Sequence, residues 1–238
     1  MDFSRRLALV TALLFAPAAL RAQSTVPALT QSLPAQTLGV GGPAVTIDLR
    51  NYFSLPGVTG QVAQFDTVLG KFNAELLAND APKTVQNFLA YINAGRYQNT
   101  VVHRSVAGFV IQSGGYTAAL PPVHIDTFPA VQNEFKRSNL RGTLAMAKLD
   151  GDPNSATSEW FVNLADNSAN LDNQNGGFTV FARVIGTGMT VVDAIAAVPV
   201  IDARGNDPFS PFGAIPLRDI QPSQVNVALA NLIIVNSV

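Results

Sequence analysis

Apolar and polar residues alternate in short segments from residue 62 onwards, and clusters of Gly, Asn and Asp separate these segments. The segments are rich in Val, Ile, Phe and Thr, whose branched or aromatic side chains pack well on a pleated sheet. We predict strands at Val62–Asp66, Lys71–Leu77, Val101–Ser105, Phe109–Ser113, Thr143–Lys148, Glu159–Leu164, Thr179–Ile185 and Asn231–Asn236. Many short strands separated by turn residues indicate a closed antiparallel sheet.

Two other segments repeat apolar residues at helical spacing. The first begins after Asp80, a candidate N-cap, has Pro82 in its first turn and ends at Gly95. The second covers Thr190–Val198 and stops before Pro199. The whole pattern therefore predicts a mainly β domain with two helices.

The N-terminal residues have a different character. Arg5 and Arg6 precede an apolar run at 7–20, and Ala22 then offers a small residue for cleavage. Basic, apolar and small residues in this order are typical of a signal peptide. We therefore expect residues 1–22 to be a signal peptide, and the mature chain to be exported to the periplasm or the extracellular space, without a membrane span.

The remaining chain divides into an extension and one domain. Residues 23–61 begin with a stretch rich in Pro, Gly, Ser, Thr and Gln, so we predict a linker or extension; an accessory element that docks a partner is the alternative. Residues 62–238 form the predicted domain. Its segment 199–222 contains five prolines, and we expect a loop insert there.

Composition narrows the chemistry. The chain has no cysteine, which excludes thiol nucleophiles, disulfides and zinc–thiolate sites. A net charge of −1 provides no basic field for nucleic acid. The only histidines, His103 and His124, lie in no ligand-spaced cluster, so we expect no metal. Asp150–Asn154 resembles the start of a calcium loop. The glycine expected at the sixth position of such a loop is Ser155, and the closing glutamate is Phe161, so a turn is predicted.

Five sequence motifs follow one another in an order that is specific to one protein family. The first is D-A-P-K-T-V-Q-N-F at Asp80–Phe88, and four longer stretches contain the others. They are V-H-R-S-V-A-G-F-V-I-Q-S-G-G (Val102–Gly115), N-E-F-K-R-S-N-L-R-G-T-L-A-M-A-K (Asn133–Lys148), N-S-A-T-S-E-W-F (Asn154–Phe161) and the segment Leu171–Val184 with F-T-V-F-A-R-V. This chain resembles the cyclophilin family over roughly residues 62–198 and its final strand.

The resemblance implies a fold and an activity. The fold is a closed eight-stranded antiparallel barrel capped by two α-helices. The activity is peptidyl-prolyl cis/trans isomerisation (EC 5.2.1.8) without a cofactor, in a monomer that acts on unfolded or nascent polypeptides containing proline. With the signal peptide, this predicts an enzyme that assists the folding of exported proteins.

The resemblance also assigns site residues. Rotation about an X–Pro amide faces a barrier of about 20 kcal/mol, and a fixed cation that donates to the amide lowers it. Arg104 matches the family's catalytic arginine. The family's proline pocket and substrate-binding groups match Phe109, Val110, Gln112, Ala147, Lys148, Phe161 and Leu171. Phe109 and Val110 are adjacent on the predicted strand, so we expect them to point in opposite directions. Trp160 is predicted to lie in the core, pointing away from the pocket.

Three positions depart from the family. Glu159 replaces a common glutamine, and this carboxylate either orients Arg104 or weakens its field by pairing with it. Phe178 replaces the usual histidine or tyrosine and keeps the aromatic wall. Asn170 replaces the tryptophan of some members, which predicts weak cyclosporin sensitivity. Glu159 motivates the alternative function, a catalytically weak proline-peptide binding module or chaperone.

Overall fold

The computed structural model describes residues 28–35, 46–48, 51–207, 210–220 and 227–238, so the predicted signal peptide lies outside the described residues. In chain order the elements are β1 (Ala28–Leu29), β2 (Phe53–Ser54), β3 (Val62–Thr67), β4 (Gly70–Leu76), α1 (Pro82–Asn93), β5 (Thr100–Val101), β6 (Arg104–Val106), β7 (Val110–Ser113), β8 (Thr143–Met146), β9 (Trp160–Asn163), α2 (Ser168–Leu171), β10 (Val180–Ile185), α3 (Met189–Ala196), β11 (Val200–Ile201), β12 (Ile215–Pro216) and β13 (Ile234–Ser237). A 3₁₀ turn at Leu229–Asn231 precedes β13.

One antiparallel sheet dominates the structure, with the strand order β5-β13-β3-β4-β10-β8-β9-β7-β6. Its two end strands, β5 and β6, are the halves of the single strand predicted at Val101–Ser105, which is interrupted at Val102 and His103. Because one short segment supplies both ends of the sheet, the sheet closes on itself. Counting the interrupted strand once gives eight strands, and the predicted mainly β, cyclophilin-like barrel is confirmed.

Aromatic side chains fill the core. The Phe65 ring stacks on Phe72 with 4.5 Å between centroids and meets Trp160 edge-on at 5.0 Å. Helix α1 adds Phe88, whose ring lies 4.9 Å from that of Phe181. Trp160 is fully buried, as predicted. These contacts hold β3, β4, β9, β10 and α1 together, and they fix the strands from which the site residues project.

The prediction that Asp80 caps α1 is wrong. The N-cap position is Ala81, and the carboxylate of Glu134 accepts the first free amides, Lys83 N at 3.2 Å and Thr84 N at 2.8 Å. Asp80 instead pairs with Lys136 and its neighbour Arg137. A carboxylate distant in sequence therefore satisfies the helix terminus, which local sequence spacing does not reveal.

The residues before β3 contact the barrel through one buried carboxylate. Glu75 Oε1 accepts the amides of Thr59 (2.7 Å) and Gly60 (2.9 Å), and Glu75 Oε2 accepts Arg183 Nε at 2.7 Å. Arg183 also donates to Gly57 O at 2.6 Å. This ion pair fixes residues 57–60 against β4 and β10. Further upstream, β1 pairs with β2.

The predicted insert contains a buried stretch. Strands β11 and β12 pair with each other, and Ala214 O accepts the amide of Ser105 at 2.8 Å. Ile215 and Leu217 are buried against Val101 and Leu232. The insert therefore covers β6, the strand that begins with Arg104.

Candidate active site

A cavity of about 360 Å³ opens where β6, β7 and β9 face the segment after α2. Its walls are formed by Arg104, Phe109, Val110, Gln112, Ala147, Lys148, Phe161, Asn170, Leu171, Gln174 and Phe178. The structure thus brings together all the predicted site residues except Glu159, which lines a neighbouring cavity. Gln174 was not anticipated, because a polar residue in a turn-rich segment carries no distinguishing signal.

One wall of this cavity is apolar. Val110 on β7, Phe161 on β9 and Leu171 on α2 are buried and pack in one cluster, with Phe109 and Phe178 half-buried at its edge. The Phe161 and Phe178 rings meet edge-on with centroids 5.8 Å apart. An aromatic and aliphatic wall of this kind suits a small hydrophobic ring.

The expectation that Phe109 and Val110 point in opposite directions is wrong, because both line the cavity. Strand β7 begins at Val110, one residue later than predicted, and Phe109 lies in the turn after β6. Side chains alternate only within a strand. Gly108, with a φ of 67°, provides the left-handed turn residue that brings the Phe109 ring to the same side.

Helix α2 was missed, and it positions two of the predicted residues. It has only four residues, too few for an apolar period to appear in the sequence. Leu171 ends the helix, and its carbonyl accepts the amide of Phe178 at 3.0 Å. The side chain of Asp166 accepts the amide of Ser168 at 3.0 Å and so fixes the start of the helix.

Arg104 lies at the polar edge of the cavity. Its Nη1 donates to Gln112 Oε1 at 3.3 Å, and its guanidinium carbon lies 5.9 Å from the centroid of Phe109. Burial lowers the pKa of Arg104, but a guanidinium keeps its charge throughout the physiological range. A cation with donors left over therefore borders an apolar cavity.

Glu159 does not pair with Arg104, since within the described residues the two form no ion pair. Gln112 lies between them and donates from Nε2 to Glu159 Oε2 at 2.7 Å. The same oxygen lies 3.3 Å from Nε2 of His103, a fully buried ring. Although desolvation, the largest influence, raises the pKa of Glu159, contacts with His103, Gln112 and His124 lower it below its ordinary value.

Lys148 is held on the other flank. Its ammonium donates to Asn175 O at 2.8 Å and Gly177 O at 2.7 Å, and it lies 4.7 Å from the centroid of the Phe178 ring. Burial lowers its pKa. The neighbouring Ala147 donates its amide to Glu159 O at 2.9 Å, which continues the β8–β9 pairing beyond β8.

A second cavity of about 260 Å³ adjoins the first and shares Gln112, Ala147 and Lys148 with it. Its other walls are formed by His124, Thr127, Leu149, Ser155, Thr157 and Glu159. Apart from Glu159, sequence reasoning assigned none of these to the site. His124 and Thr127 come from a loop with no strand pattern, so only the three-dimensional structure brings them here.

The described ranges contain no group of three or more His, Cys, Asp or Glu that could hold a metal ion. Within the same ranges no helix is long and apolar enough to cross a membrane.

Comparisons with known proteins point to one family. Residues 62–212 match the family model described as cyclophilin type peptidyl-prolyl cis-trans isomerase. A peptidyl-prolyl cis-trans isomerase of Acinetobacter baylyi is 35% identical over 178 residues, 74% of this chain and 92% of that protein. Peptidyl-prolyl cis-trans isomerase B of Escherichia coli is 39% identical over 140 residues, 56% of this chain and 83% of that protein.

The fold likeness extends to a solved structure. A cyclophilin type peptidyl-prolyl cis-trans isomerase of Cryptosporidium parvum, crystallised in the presence of the dipeptide Ala-Pro, superposes with a TM-score of 0.53. It is 22% identical and covers 74% of this chain and 96% of its own.

Proposed function

Because the chain belongs to the cyclophilin-type peptidyl-prolyl cis-trans isomerase family and is such an isomerase (EC 5.2.1.8), we propose that Arg104 is its catalytic residue. The 360 Å³ cavity then holds the proline ring of a peptide substrate. The observation that carries this proposal is the position of the Arg104 guanidinium, at the edge of a cavity with an apolar wall and without a carboxylate partner among the described residues.

The chemistry needs no covalent step. The X–Pro barrier of about 20 kcal/mol comes from resonance between the proline nitrogen and the carbonyl. A donor from Arg104 to the prolyl nitrogen localises its lone pair and weakens the C–N double bond, so the acyl side turns more easily. The wall containing Phe161 and Leu171 holds the ring still during this rotation, which keeps the donor aligned.

Gln112, Ala147 and Lys148 form the ridge between the two cavities, where the peptide backbone flanking the proline would lie. Strand β8 ends just before this ridge, and backbone groups beyond a strand end suit an extended peptide. Within this ridge Gln112 also fixes Arg104, through the 3.3 Å hydrogen bond.

The test compares Arg104→Ala with the wild type by NMR exchange spectroscopy on an Ala-Pro peptide. We expect kcat/KM to fall about 100-fold or more, as when one donor to a transition state is removed. Arg141→Ala is the matched control, because Arg141 pairs with Asp193 on α3, outside both cavities. An Arg104→Ala enzyme with full activity would contradict the role. Peptide binding without any acceleration by the wild type would favour the alternative binding module.

We also propose that the enzyme is exported and assists folding of exported proteins. Arg5, Arg6, the apolar run at 7–20 and Ala22 support this. When the full chain is expressed in a bacterium, we expect a periplasmic or secreted protein whose N-terminus is Gln23, and Leu13→Arg should keep it in the cytoplasm. An uncleaved cytoplasmic wild type would contradict export. Unchanged refolding of a proline-limited exported protein would contradict the assisting role.

A further inference from the structure

The second cavity lies where a residue flanking the proline would point. In an extended chain, alternate side chains lie on one face about 7 Å apart. A peptide with its proline in the first cavity, crossing the ridge of Gln112, Ala147 and Lys148, therefore presents the side chain two residues away to the second cavity. This step rests on the proposed function, which places the proline in the first cavity.

The second cavity contains a carboxylate with unused capacity. Glu159 Oε2 accepts Gln112 at 2.7 Å, whereas Oε1 accepts no hydrogen bond from the described residues and lies 3.9 Å from His124 Nε2. The Glu159 side chain is 22% exposed and lines the second cavity, so a ligand there can reach its carboxylate.

The contacts of His124 strengthen the case for a cation. Its Nδ1 lies 2.8 Å from Ile125 O, and a carbonyl only accepts, so Nδ1 carries the proton. In the neutral ring Nε2 is then an acceptor that faces Glu159 Oε1. An ammonium or guanidinium between the two can donate to both, whereas an anion meets a carboxylate.

The side chains of Lys148 and Arg104 do not pair with Glu159. The ammonium of Lys148 is bound to two carbonyls and lies beside Phe178, a residue of the first cavity. Arg104 lies beyond Gln112 and, unlike Lys148, does not line the second cavity. The rest of the second cavity adds the hydroxyl-bearing residues Thr127, Ser155 and Thr157 and the exposed Leu149, which suit the polar head and the apolar stem of Lys or Arg.

We propose that Glu159 makes this enzyme select peptides that carry Lys or Arg two residues from the proline. Glu159 thus acts on substrate choice, and its negative charge distinguishes this site from one built on glutamine. Glu159 thereby sets the relative rates on different peptides.

The experiment uses four peptides in which Lys or norleucine stands two residues before or two residues after the proline of an Ala-Pro unit. NMR exchange spectroscopy gives kcat/KM for each, and titration gives each Kd. The two positions give two series, each with one Lys and one norleucine peptide. In one series we expect kcat/KM for the Lys peptide to be about tenfold higher than for the norleucine peptide at low ionic strength. Added salt should reduce this ratio. In Glu159→Gln the ratio should fall to about one.

The ratio is the readout because Glu159→Gln can change the overall rate as well. Asp193→Asn, on α3 outside both cavities, is the matched loss of one charge and should keep the wild-type ratio. A ratio near one for the wild type in both series, or an unchanged ratio in Glu159→Gln, overturns the inference. If no peptide is isomerised, the proposed function fails instead, and the Kd ratio still decides whether Glu159 selects cations.

Discussion

Gln112 connects the two charged residues of the site, and replacing it tests whether that connection matters. The side chain accepts from Arg104 at 3.3 Å and donates to Glu159 at 2.7 Å. Hydrogen bonds to charged groups contribute about 1.5–3 kcal/mol each. The short bond to the partly exposed Glu159 belongs at the lower end of this range, and the long bond from Arg104 at or below it.

From these bonds we expect two effects of Gln112→Ala. The free energy of unfolding should fall by about 1.5 kcal/mol, because Glu159 loses its shortest hydrogen bond. The kcat/KM on an Ala-Pro peptide should fall about tenfold, equivalent to about 1.4 kcal/mol, because Arg104 is no longer held. Urea denaturation and NMR exchange spectroscopy measure the two quantities.

A double-mutant cycle separates positioning from direct contact. If Gln112 acts through Arg104, then Gln112→Ala should cost little further activity in the Arg104→Ala background. Gln64→Ala is the control: Gln64 is an exposed glutamine on β3 whose side chain donates to Asn73 on β4, so both quantities should stay unchanged. A tenfold loss that persists in both backgrounds would refute positioning, and a stable Gln112→Ala protein with full activity would refute the network itself.

Three further changes test other contacts. Glu75→Gln should cost about 2 kcal/mol of unfolding free energy, less than a fully buried pair because Arg183 is 36% exposed. Burial, the largest influence, raises the pKa of Glu75, but the hydrogen bonds to the carboxylate lower this pKa overall. The contribution of Glu75 to the free energy of unfolding is therefore present above pH 4.5 and lost as the pH falls through the folded pKa. Urea titrations at several pH values check this. Phe161→Ala should raise KM for an Ala-Pro peptide at least tenfold and cost about 3 kcal/mol of stability, measured by exchange kinetics and urea denaturation. Gly115→Ala would place a Cβ 2.4 Å from Glu159 Oε1. We expect this change to reduce the ratio of kcat/KM between the Lys and norleucine peptides to about one in the same peptide assay.

The parts of the structure that sequence predicted are those whose signal is local. Alternation located β3 and β4 to within one residue, because one face of each strand packs on the core. Strand β10 was located equally well from its apolar run, in which Val180, Phe181 and Ala182 are all buried. The order of motifs then identified the residues of the first cavity. Their convergence did not follow from alternation, since Phe109 lies in a turn and Leu171 on a four-residue helix.

The parts that sequence did not predict depend on contacts between distant segments. Glu134 caps α1 from about fifty residues away, and no spacing rule covers that distance. The sequence through Val102 and His103 predicts a continuous strand, yet the strand is interrupted there. Its two halves, β5 and β6, pair with different neighbours, β13 and β7. The same break buries the His103 ring beside Glu159 while the next residue, Arg104, faces the first cavity.

The sequence left two roles open for Glu159, orienting Arg104 or weakening its field by pairing with it. The position of Glu159 speaks against the second. A carboxylate in direct contact with Arg104 would compete with the substrate for its donors and weaken its field at the prolyl nitrogen. Here Gln112 stands between them and donates to Glu159 Oε2, which also lies 3.3 Å from His103 Nε2. The negative charge is therefore kept out of the first cavity and directed into the second. We therefore expect a glutamate in place of glutamine at this point to change which flanking residues are favoured, while Arg104 and the apolar wall of the first cavity stay intact.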